Sequence, residues 1–280
     1  MTELDIAALR QWIGRTECAS DLVTPRLALS LRATLESDEA PGGELAPACV
    51  HWCLAPPVVR MGELDEDGHP ARGEFLPPVA LPRRMWAASE LTFHDALQVG
   101  DAVKRVSRVV DVRAKQGRTG QLCFVTVQHE IATARGLALT ERQEIVYRER
   151  QAPLAQPAEA PGEARVATWR REVRCSPVLL FRYSALTFNA HRIHYDAAFS
   201  REHEGYPGLL VHAPLQSSYL LELATSVRDG CAPRRFAFRA VAPLFVDATL
   251  SANAIERDGG LQLWIADEAG RTTMRAEAFW

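Results

Sequence analysis

The segment HAPLQSSYLLELATSV, residues 212–227, carries apolar side chains around most of a helical circumference. The residues that leave little polar surface are Leu215, Tyr219, Leu220, Leu221 and Leu223. A helix that is apolar on nearly every side is stable only when it is enclosed. The segment therefore predicts a buried central helix, and the rest of the chain must supply the sheet that wraps around it.

Segments with alternating apolar and polar residues follow this helix, and period-2 alternation with β-branched and aromatic residues indicates strands. They are RRFAFRAVAPLF (234–245), ATLSANAIERD (248–258), GLQLWIAD (260–267) and RTTMRAEAFW (271–280).

The first half of the chain repeats this order. It offers a helix over TPRLALSLRATLES (24–37), then strands over 85–93, 101–115, 121–134 and 139–149. Leu97-Gln98-Val99 matches Leu244-Phe245-Val246 at the turn between two strands. One helix followed by an antiparallel meander, written twice, predicts an α+β fold of two units. In this interpretation the helix at 24–37 is the counterpart of the helix at 212–227, and each is wrapped by its sheet.

QAPLAQPAEAPGEAR, residues 151–165, is rich in Pro, Ala and Glu and has no hydrophobic periodicity, which is typical of a linker. It divides the chain into an N-terminal unit, residues 1–150, and a C-terminal unit, residues 166–280.

Composition excludes several classes of function. A net charge of −3 with pI near 6.3 provides neither a nucleic-acid footprint nor a polybasic membrane patch. No apolar run approaches the roughly 20 residues that span a bilayer. MTELDIAALRQWIG indicates a short amphipathic helix rather than a signal peptide. We therefore expect a cytoplasmic protein with no nucleic-acid or membrane partner.

The cysteines lie in apolar surroundings, and Cys49 and Cys53 with His51 between them form the one close pair. No second Cys/His cluster at zinc spacing follows, so buried reduced thiols are the favoured interpretation.

FRYSALTFNAHRIHYD, residues 181–196, is the densest polar stretch in the chain. Ser176-Pro177 is typical of a helix start, and this helix would deliver Asn189 and two histidines at its C-terminal end. Downstream, Pro207 and Gly208 predict a turn ahead of His212 and the buried helix. The start of that helix, near Ala213, offers unpaired N–H groups and a positive dipole end to a carbonyl oxygen that becomes anionic.

These residue types indicate proton chemistry next to a carbonyl. His194 can act as a base or acid near neutral pH, and Asn189 can hold a water molecule without exchanging a proton. The alternatives are a structural histidine, a core-facing His212, and a metal held by His191 and His194. A catalytic zinc needs a third ligand, and Asp196 is too close along the chain to supply it comfortably. No nucleophile elbow is present.

The segment resembles the D-x-N-P-[IL]-H motif of the MaoC-like (R)-specific enoyl-CoA hydratases, which have the hot-dog fold. Ile193-His194 matches the end of the motif, Arg192 stands at its proline, His191 at its Asn, and Asn189 at its catalytic Asp. YPGLLVHAPLQ is similar to the family's PGLVVHGMLL, with Ala213 at the glycine whose amide binds the thioester oxygen.

The resemblance implies a double hot-dog fold and a hydro-lyase that adds water reversibly to an enoyl-CoA. Coenzyme A is then part of the substrate, and no cofactor or metal is implied. His194 would take the proton of a water that Asn189 orients, and the amide of Ala213 would hold the thioester oxygen. Because Asn189 replaces the family's Asp, His194 is the one titratable group left in the motif.

The variant YSALTFNAHRIHYD is similar to the subgroup of mitochondrial 3-hydroxyacyl-thioester dehydratases and bacterial hydratases of C5-dicarboxylyl-CoA esters. Itaconyl-CoA hydration to citramalyl-CoA, as in itaconate degradation, is the first expectation; mesaconyl-C4-CoA and a general (R)-3-hydroxyacyl thioester are the alternatives. A substrate carboxylate needs a cation. The predicted substrate-binding residues are Arg83, Arg84, Trp86, Arg182, His191, Arg192, Gly208 and His212.

A hot-dog thioesterase or an inactive acyl-CoA-binding protein is the competing class of function. Asn189 disfavours the thioesterase, which needs a carboxylate at this position to activate water. His194 disfavours the inactive binding protein, which would have lost this histidine. The first half has no counterpart of NAHRIH, so one site per chain is expected. A homodimer is possible.

Overall fold

The computed structural model describes residues 4–37, 44–117, 120–149 and 166–280. The predicted linker, 151–165, lies outside the described residues. The helices are α1 (Ile6–Leu9), α2 (Pro25–Leu35), α3 (Pro177–Thr187), α4 (Ala197–Glu202) and α5 (Ala213–Ser226). The strands are β1 (Thr16–Leu22), β2 (Arg83–Phe93), β3 (Ala102–Gly117), β4 (Gly120–Thr133), β5 (Gly136–Arg148), β6 (Trp169–Arg174), β7 (Arg235–Ala240), β8 (Thr249–Arg257), β9 (Gly260–Ala266) and β10 (Thr272–Phe279).

All ten of these strands form one antiparallel sheet in the order β1-β3-β4-β5-β2-β7-β10-β9-β8-β6. Five strands come from residues 16–148 and five from residues 169–279, and the two sets meet where β2 pairs with β7. The two halves of this order are equivalent. Read inward from the edges, β1, β3, β4, β5 and β2 correspond to β6, β8, β9, β10 and β7. The eight predicted strands are present, whereas β1 and β6 at the edges were not predicted.

Equivalent hydrogen bonds fix how the two halves correspond. The Val23 N–H donates to the Asp101 carbonyl, and the Cys175 N–H donates to the Ala248 carbonyl. The helix after each of these residues begins with a proline behind a hydroxyl N-cap and ends at a residue in the left-handed region. The α2 helix is therefore the counterpart of α3.

A second set of hydrogen bonds locates the counterpart of α5. The Ala46 N–H donates to the Leu97 carbonyl in the first half, as the Val211 N–H donates to the Leu244 carbonyl in the second. Two residues after Val211 the α5 helix begins, whereas four residues after Ala46 the chain forms a short 3-10 turn, Val50–Cys53. The prediction that the helix at 24–37 matches the helix at 212–227 is therefore wrong, because among the described residues the first unit has lost its central helix.

The α5 helix packs against β8, β9 and β10 and reaches β2 and β7. Leu215, Leu220, Leu221 and Ala224 have no exposed surface and belong to a cluster of buried side chains from both halves. The predicted enclosure of this helix is confirmed.

The two halves of the sheet differ in the polarity of the face that a central helix would cover. In the second unit, that face carries the buried apolar residues Phe236, Ala252, Ala254, Leu263, Ala276 and Ala278. The strand pairings place Ser89, Arg105, Ser107, His129, Glu141 and Gln143 at the equivalent positions of the first unit. Without a helix to pack against, these six positions have no need of apolar side chains.

No helix among the described residues is long and apolar enough to cross a membrane.

Replacing Leu220 by Ala should lower the free energy of unfolding by about 2–5 kcal/mol, since a cavity would form in an enclosed helix face. Leu29→Ala on α2 is the matched control, because Leu29 is 54% exposed and exposed sites usually change stability by less than about 0.5 kcal/mol. Urea denaturation followed by circular dichroism measures both. Equal effects would contradict the central place of α5.

Candidate functional site

A cavity of about 1060 Å³ opens between the two units. On the second unit it is lined by Asn189, His191, His194 and Ala213. On the first unit its lining includes the polar face of the sheet and a segment, residues 56–76, which we call the insert. The cavity therefore contains the predicted motif and the space that the missing helix leaves.

Local hydrogen bonds shape the loop that carries the motif. The α3 helix ends at Phe188, which adopts a left-handed conformation with φ of 50° and turns the chain toward the cavity. Asn189 then accepts a hydrogen bond on Oδ1 from the His191 N–H, at 2.9 Å. This contact holds the side-chain oxygen, so the amide Nδ2 is the part of Asn189 that can donate to a ligand.

His194 is buried, and its ring orientation is set by one short hydrogen bond. Its Nδ1 lies 2.7 Å from the Leu210 carbonyl oxygen, which makes Nδ1 the donor and leaves Nε2 as an acceptor. Burial lowers the pKa of His194 to about 3, against a smaller opposing effect of the Leu210 carbonyl. The ring is therefore neutral at physiological pH and can accept a proton at Nε2.

Four imidazole rings stand in contact in and beneath this cavity. The ring centroids of His69 and His191 are 4.1 Å apart, those of His191 and His194 5.4 Å, and those of His194 and His212 3.6 Å. His212 shares a 2.9 Å hydrogen bond with Ser184 through Nε2 and does not line the cavity. Burial lowers the pKa of His191 and of His212, so the row can pack closely without charge repulsion.

The start of α5 faces the cavity at Ala213 and Pro214. Pro214 has no N–H, and among the described residues no acceptor faces the Ala213 N–H. An N–H at a helix start with the positive end of the helix dipole behind it suits an oxygen that gains negative charge.

The insert reaches from the first unit onto the motif. The Arg192 N–H donates to the Asp67 carbonyl at 2.9 Å. Gly68, with φ of +90°, passes so close to the Ala190 carbonyl that a Cβ at this position would overlap the oxygen. A glycine is required here both by the positive φ and by the lack of space. This contact brings His69 against His191.

Asp67 and His69 form a hydrogen-bonded pair on this insert. The Asp67 carboxylate accepts from the His69 Nδ1–H at 3.0 Å and from the His69 backbone N–H at 2.9 Å. Burial and the nearby Arg84 charge lower the pKa of His69 to about 4, although Asp67 opposes them. Burial acts to raise the pKa of Asp67, yet the bonds from His69 and the charge of Arg84 outweigh it and leave that pKa low. The sequence predicted neither residue, since DEDGHP has the composition of a surface turn.

The cavity separates the predicted site residues into two groups. Asn189, His191, His194, Ala213, Arg84 and Trp86 line it. Arg83, Arg182, Arg192, Gly208 and His212 do not, which corrects the expectation that they face a substrate there.

Each residue outside the cavity has another place. Arg83 is buried in an ion pair with Glu204, 2.8 Å apart, and Arg192 pairs with Asp196 at 2.7 Å. Arg182 is exposed. The Gly208 carbonyl accepts from Ser200 Oγ at 2.7 Å.

Asp67, His69 and His191 also have the donor set of a metal site, with ligand atoms within 4.8 Å of one another. The hydrogen bond between Asp67 and His69 already uses one atom of each, and Arg84 adds positive charge beside both. This arrangement favours proton transfer over cation binding, and the absence of a metal stays a prediction.

Comparison with protein families matches residues 49–246 to hydroxyacyl-thioester dehydratase type 2. The chain is 43% identical over 238 residues to the mesaconyl-C(4)-CoA hydratase of Chloroflexus aurantiacus, covering 84% of each protein. It is 29% identical over 212 residues to the mitochondrial hydroxyacyl-thioester dehydratase type 2 of Schizosaccharomyces pombe, covering 67% of this chain and 70% of that one.

Solved structures confirm the predicted fold. A MaoC-like dehydratase superposes with a TM-score of 0.73 at 14% identity, covering 98% of this chain and 100% of that one. A Mycobacterium tuberculosis protein described as having a double hotdog fold gives a TM-score of 0.60 at 14% identity, with 95% of each chain covered.

The neutral state of His194 can be tested by nuclear magnetic resonance of its ring nitrogens. Because its pKa is lowered to about 3, the ring should stay neutral, with the proton on Nδ1, from pH 5 to pH 8. In the urea-unfolded chain, which serves as the control, it should titrate near pH 6.5. A folded-state pKa below the unfolded one means that this histidine's stabilising contribution is lost as pH falls below about 6.5. Titration near pH 6.5 in the folded protein would contradict the assignment.

Proposed function

The chain belongs to the hydroxyacyl-thioester dehydratase type 2 family, and from that premise we propose that it hydrates a branched C5-dicarboxylyl-CoA thioester, mesaconyl-C4-CoA, to citramalyl-CoA. The chain is thus an enzyme of the hydratase and dehydratase class, like its relatives. The observation that carries the proposal is the convergence of a neutral imidazole, a free amide and a helix start on one cavity.

The reaction begins with the thioester carbonyl against the Ala213 N–H. Asn189 Nδ2 donates a hydrogen bond to the oxygen of a water molecule, and His194 Nε2 accepts a hydrogen bond from one of the O–H groups of this water. Both groups line the same cavity as Ala213, so they can act on one acyl group. Fixing the water in this way replaces a bimolecular encounter by a positioned one.

Water then adds across the double bond. The oxygen forms a bond to Cβ, the electron pair of the double bond moves toward the thioester, and the carbonyl oxygen becomes anionic. The α5 dipole and the Ala213 N–H stabilise this enolate. The proton that leaves the water is taken up by an imidazole of the cavity wall and is returned to Cα, so the enzyme regains its starting state.

One wall of the cavity is polar, and this wall supports a polar acyl group over a fatty chain. The face left by the missing helix carries Arg105, His129, Glu141 and Gln143. Burial raises the pKa of Glu141 to about 7, and these groups already bond to one another and to Trp52, Ser107 and Glu17. An alkyl chain against this wall would displace water from it without offering any polar contact in return.

Arg84 is the cation best placed for the substrate carboxylate. It lines the cavity beside His69 and His191, whose pKa values its charge lowers. In mesaconyl-C4-CoA the free carboxylate is bonded to Cβ, so its cation must lie close to the water-binding residues. Arg105 is less suitable, because three carboxyl groups act on it, with Glu17 3.8 Å from its guanidinium and Glu141 and Asp21 nearby, whereas Asp67 is the carboxylate that feels the charge of Arg84.

Mesaconyl-C4-CoA fits this mechanism better than itaconyl-CoA, which the sequence favoured. Its double bond is conjugated with the thioester, so hydroxide addition at Cβ develops the charge that the α5 start can stabilise. In itaconyl-CoA the double bond is conjugated with the free carboxylate instead. The mesaconyl-C(4)-CoA hydratase of Chloroflexus aurantiacus, at 43% identity, supports the same choice. Itaconyl-CoA hydration stays a prediction.

The substrate is tested by assaying the purified protein with mesaconyl-C4-CoA, itaconyl-CoA and crotonyl-CoA, with products separated by chromatography and identified by mass. We expect kcat/KM for mesaconyl-C4-CoA to be the highest, with citramalyl-CoA as product. His194→Ala is the control for the site and should reduce turnover by about tenfold, because the water would lose one hydrogen bond of roughly 1–1.5 kcal/mol that positions it. A preference for crotonyl-CoA would refute the dicarboxylyl substrate, and hydrolysis to free CoA would indicate a thioesterase.

Replacing Arg84 by Met should lower kcat/KM for mesaconyl-C4-CoA by roughly 10- to 150-fold, the equivalent of a charged hydrogen bond of about 1.5–3 kcal/mol. The rate with crotonyl-CoA, which has no free carboxylate, should change by less than about threefold. Arg182→Met removes an exposed arginine outside the cavity and should leave both rates unchanged. An equal loss with both substrates would assign Arg84 to coenzyme A instead.

A further inference from the structure

We infer that Asp67 and His69 form a second proton-transfer pair of the active site, delivered by the first unit, and that His69 takes the proton of the attacking water. This inference rests on the proposed hydration and adds a catalytic residue to it.

Position is the first ground. His69 lines the cavity with Asn189 and His194, and its ring lies 4.1 Å from that of His191, centroid to centroid. About a fifth of its side chain is exposed, so it is accessible from the cavity. The Gly68 contact and the bond from the Arg192 N–H to the Asp67 carbonyl hold the insert in this place.

Orientation is the second ground. The Asp67 carboxylate accepts the Nδ1–H of His69 at 3.0 Å, which fixes the tautomer and leaves Nε2 with its lone pair free. Asp67 is itself fixed, because its other oxygen accepts the His69 backbone N–H at 2.9 Å. A carboxylate behind an imidazole holds the ring and stabilises the imidazolium that forms when the ring takes a proton.

The third ground is the contrast with His194. Behind His194 Nδ1 stands the Leu210 carbonyl, a neutral acceptor, and the rings of His191 and His212 surround the imidazole. An imidazolium at His194 would have no carboxylate partner among the described residues. Of the two imidazoles, His69 is therefore the one whose protonated form has a carboxylate partner, and Asp67 opposes the effect of burial and of the Arg84 charge on its pKa.

The step balances with one water and no other reagent. One O–H of the water faces His69 Nε2 and the other faces His194 Nε2. As the oxygen bonds to Cβ, the first proton passes to His69, and the imidazolium forms against Asp67. The enolate then takes this proton at Cα from the same face, His69 becomes neutral, and the second proton stays on the new hydroxyl group.

The pair also accounts for Asn189. A carboxylate at this position would place a second negative charge in a cavity where His69 and Asp67 already supply the base. An amide can donate to the water oxygen, which a carboxylate cannot do.

The test is His69→Ala, assayed with the enoyl-CoA that the wild-type protein hydrates best and then in the presence of imidazole. We expect kcat to fall by about a hundredfold or more and added imidazole to restore it at least about tenfold. A residue with a merely structural role would not be rescued by imidazole. His94→Ala is the matched control, since His94 is exposed and does not line the cavity. This variant should keep the wild-type kcat both without and with added imidazole.

Asp67→Asn keeps the size of the side chain and tests the pair if His69→Ala does not fold. We expect kcat to fall about tenfold or more with KM changed by less than about threefold, because the amide cannot stabilise the imidazolium. An unchanged kcat in Asp67→Asn, or a His69→Ala protein that keeps more than about a tenth of wild-type kcat, would overturn the assignment while leaving the hydration intact.

Two further outcomes are distinguishable. Loss of wild-type activity on incubation with EDTA, restored by added zinc, would make Asp67, His69 and His191 a metal site and overturn the proton-transfer role. A wild-type protein that hydrates no enoyl-CoA would refute the proposed function itself.

Discussion

The enclosure of α5 is the constraint on which the rest of the structure depends. A helix that is apolar on most sides has to be wrapped, and the second half of the sheet wraps it. Its start is then held at the junction of the two units, where the Ala213 N–H meets the cavity. The first unit, which keeps a single 3-10 turn in place of this helix, leaves the space that the cavity occupies. One helix present and its counterpart missing thus produce both the exposed helix start, which we propose as the oxyanion position, and the space that we propose for the acyl group.

Burial also governs the proton chemistry. The rings of His69, His191, His194 and His212 lie in contact, and a row of charged imidazoles at these distances would repel. Desolvation lowers the pKa of each, so the row is neutral, and His69 and His194 keep a lone pair at Nε2. His69 and His194 both face the cavity, and a hydrogen bond at Nδ1 fixes the tautomer of each ring. The partner of Nδ1 is the Asp67 carboxylate in His69 and the Leu210 carbonyl in His194. In the proposed mechanism, that difference makes His69 the base and His194 a hydrogen-bond acceptor.

The sequence predicted much of the fold from patterns within single segments. The strands of both meanders, the helix at 177–187 and the enclosed helix at 213–226 each carry their own periodicity. The error concerned the correspondence between the halves. The helix at 25–35 was matched to α5 because both are apolar helices ahead of a meander, whereas the backbone hydrogen bonds of Val23 and Cys175 match it to α3. Pairing between distant segments leaves no mark in the composition of either one.

The candidate site divides in the same way. Asn189, His194 and Ala213 lie within one stretch of chain, so the sequence by itself determined that an amide, an imidazole and a helix start would be close together. Only the tertiary structure decided which arginines face the cavity, since Arg83 and Arg84 are neighbours in the chain and point to different partners. It also brought Asp67 and His69 to the motif across more than a hundred residues. A local pattern encodes local geometry, whereas contacts between distant segments depend on how the whole sheet closes, and that depends on the packing of every strand together.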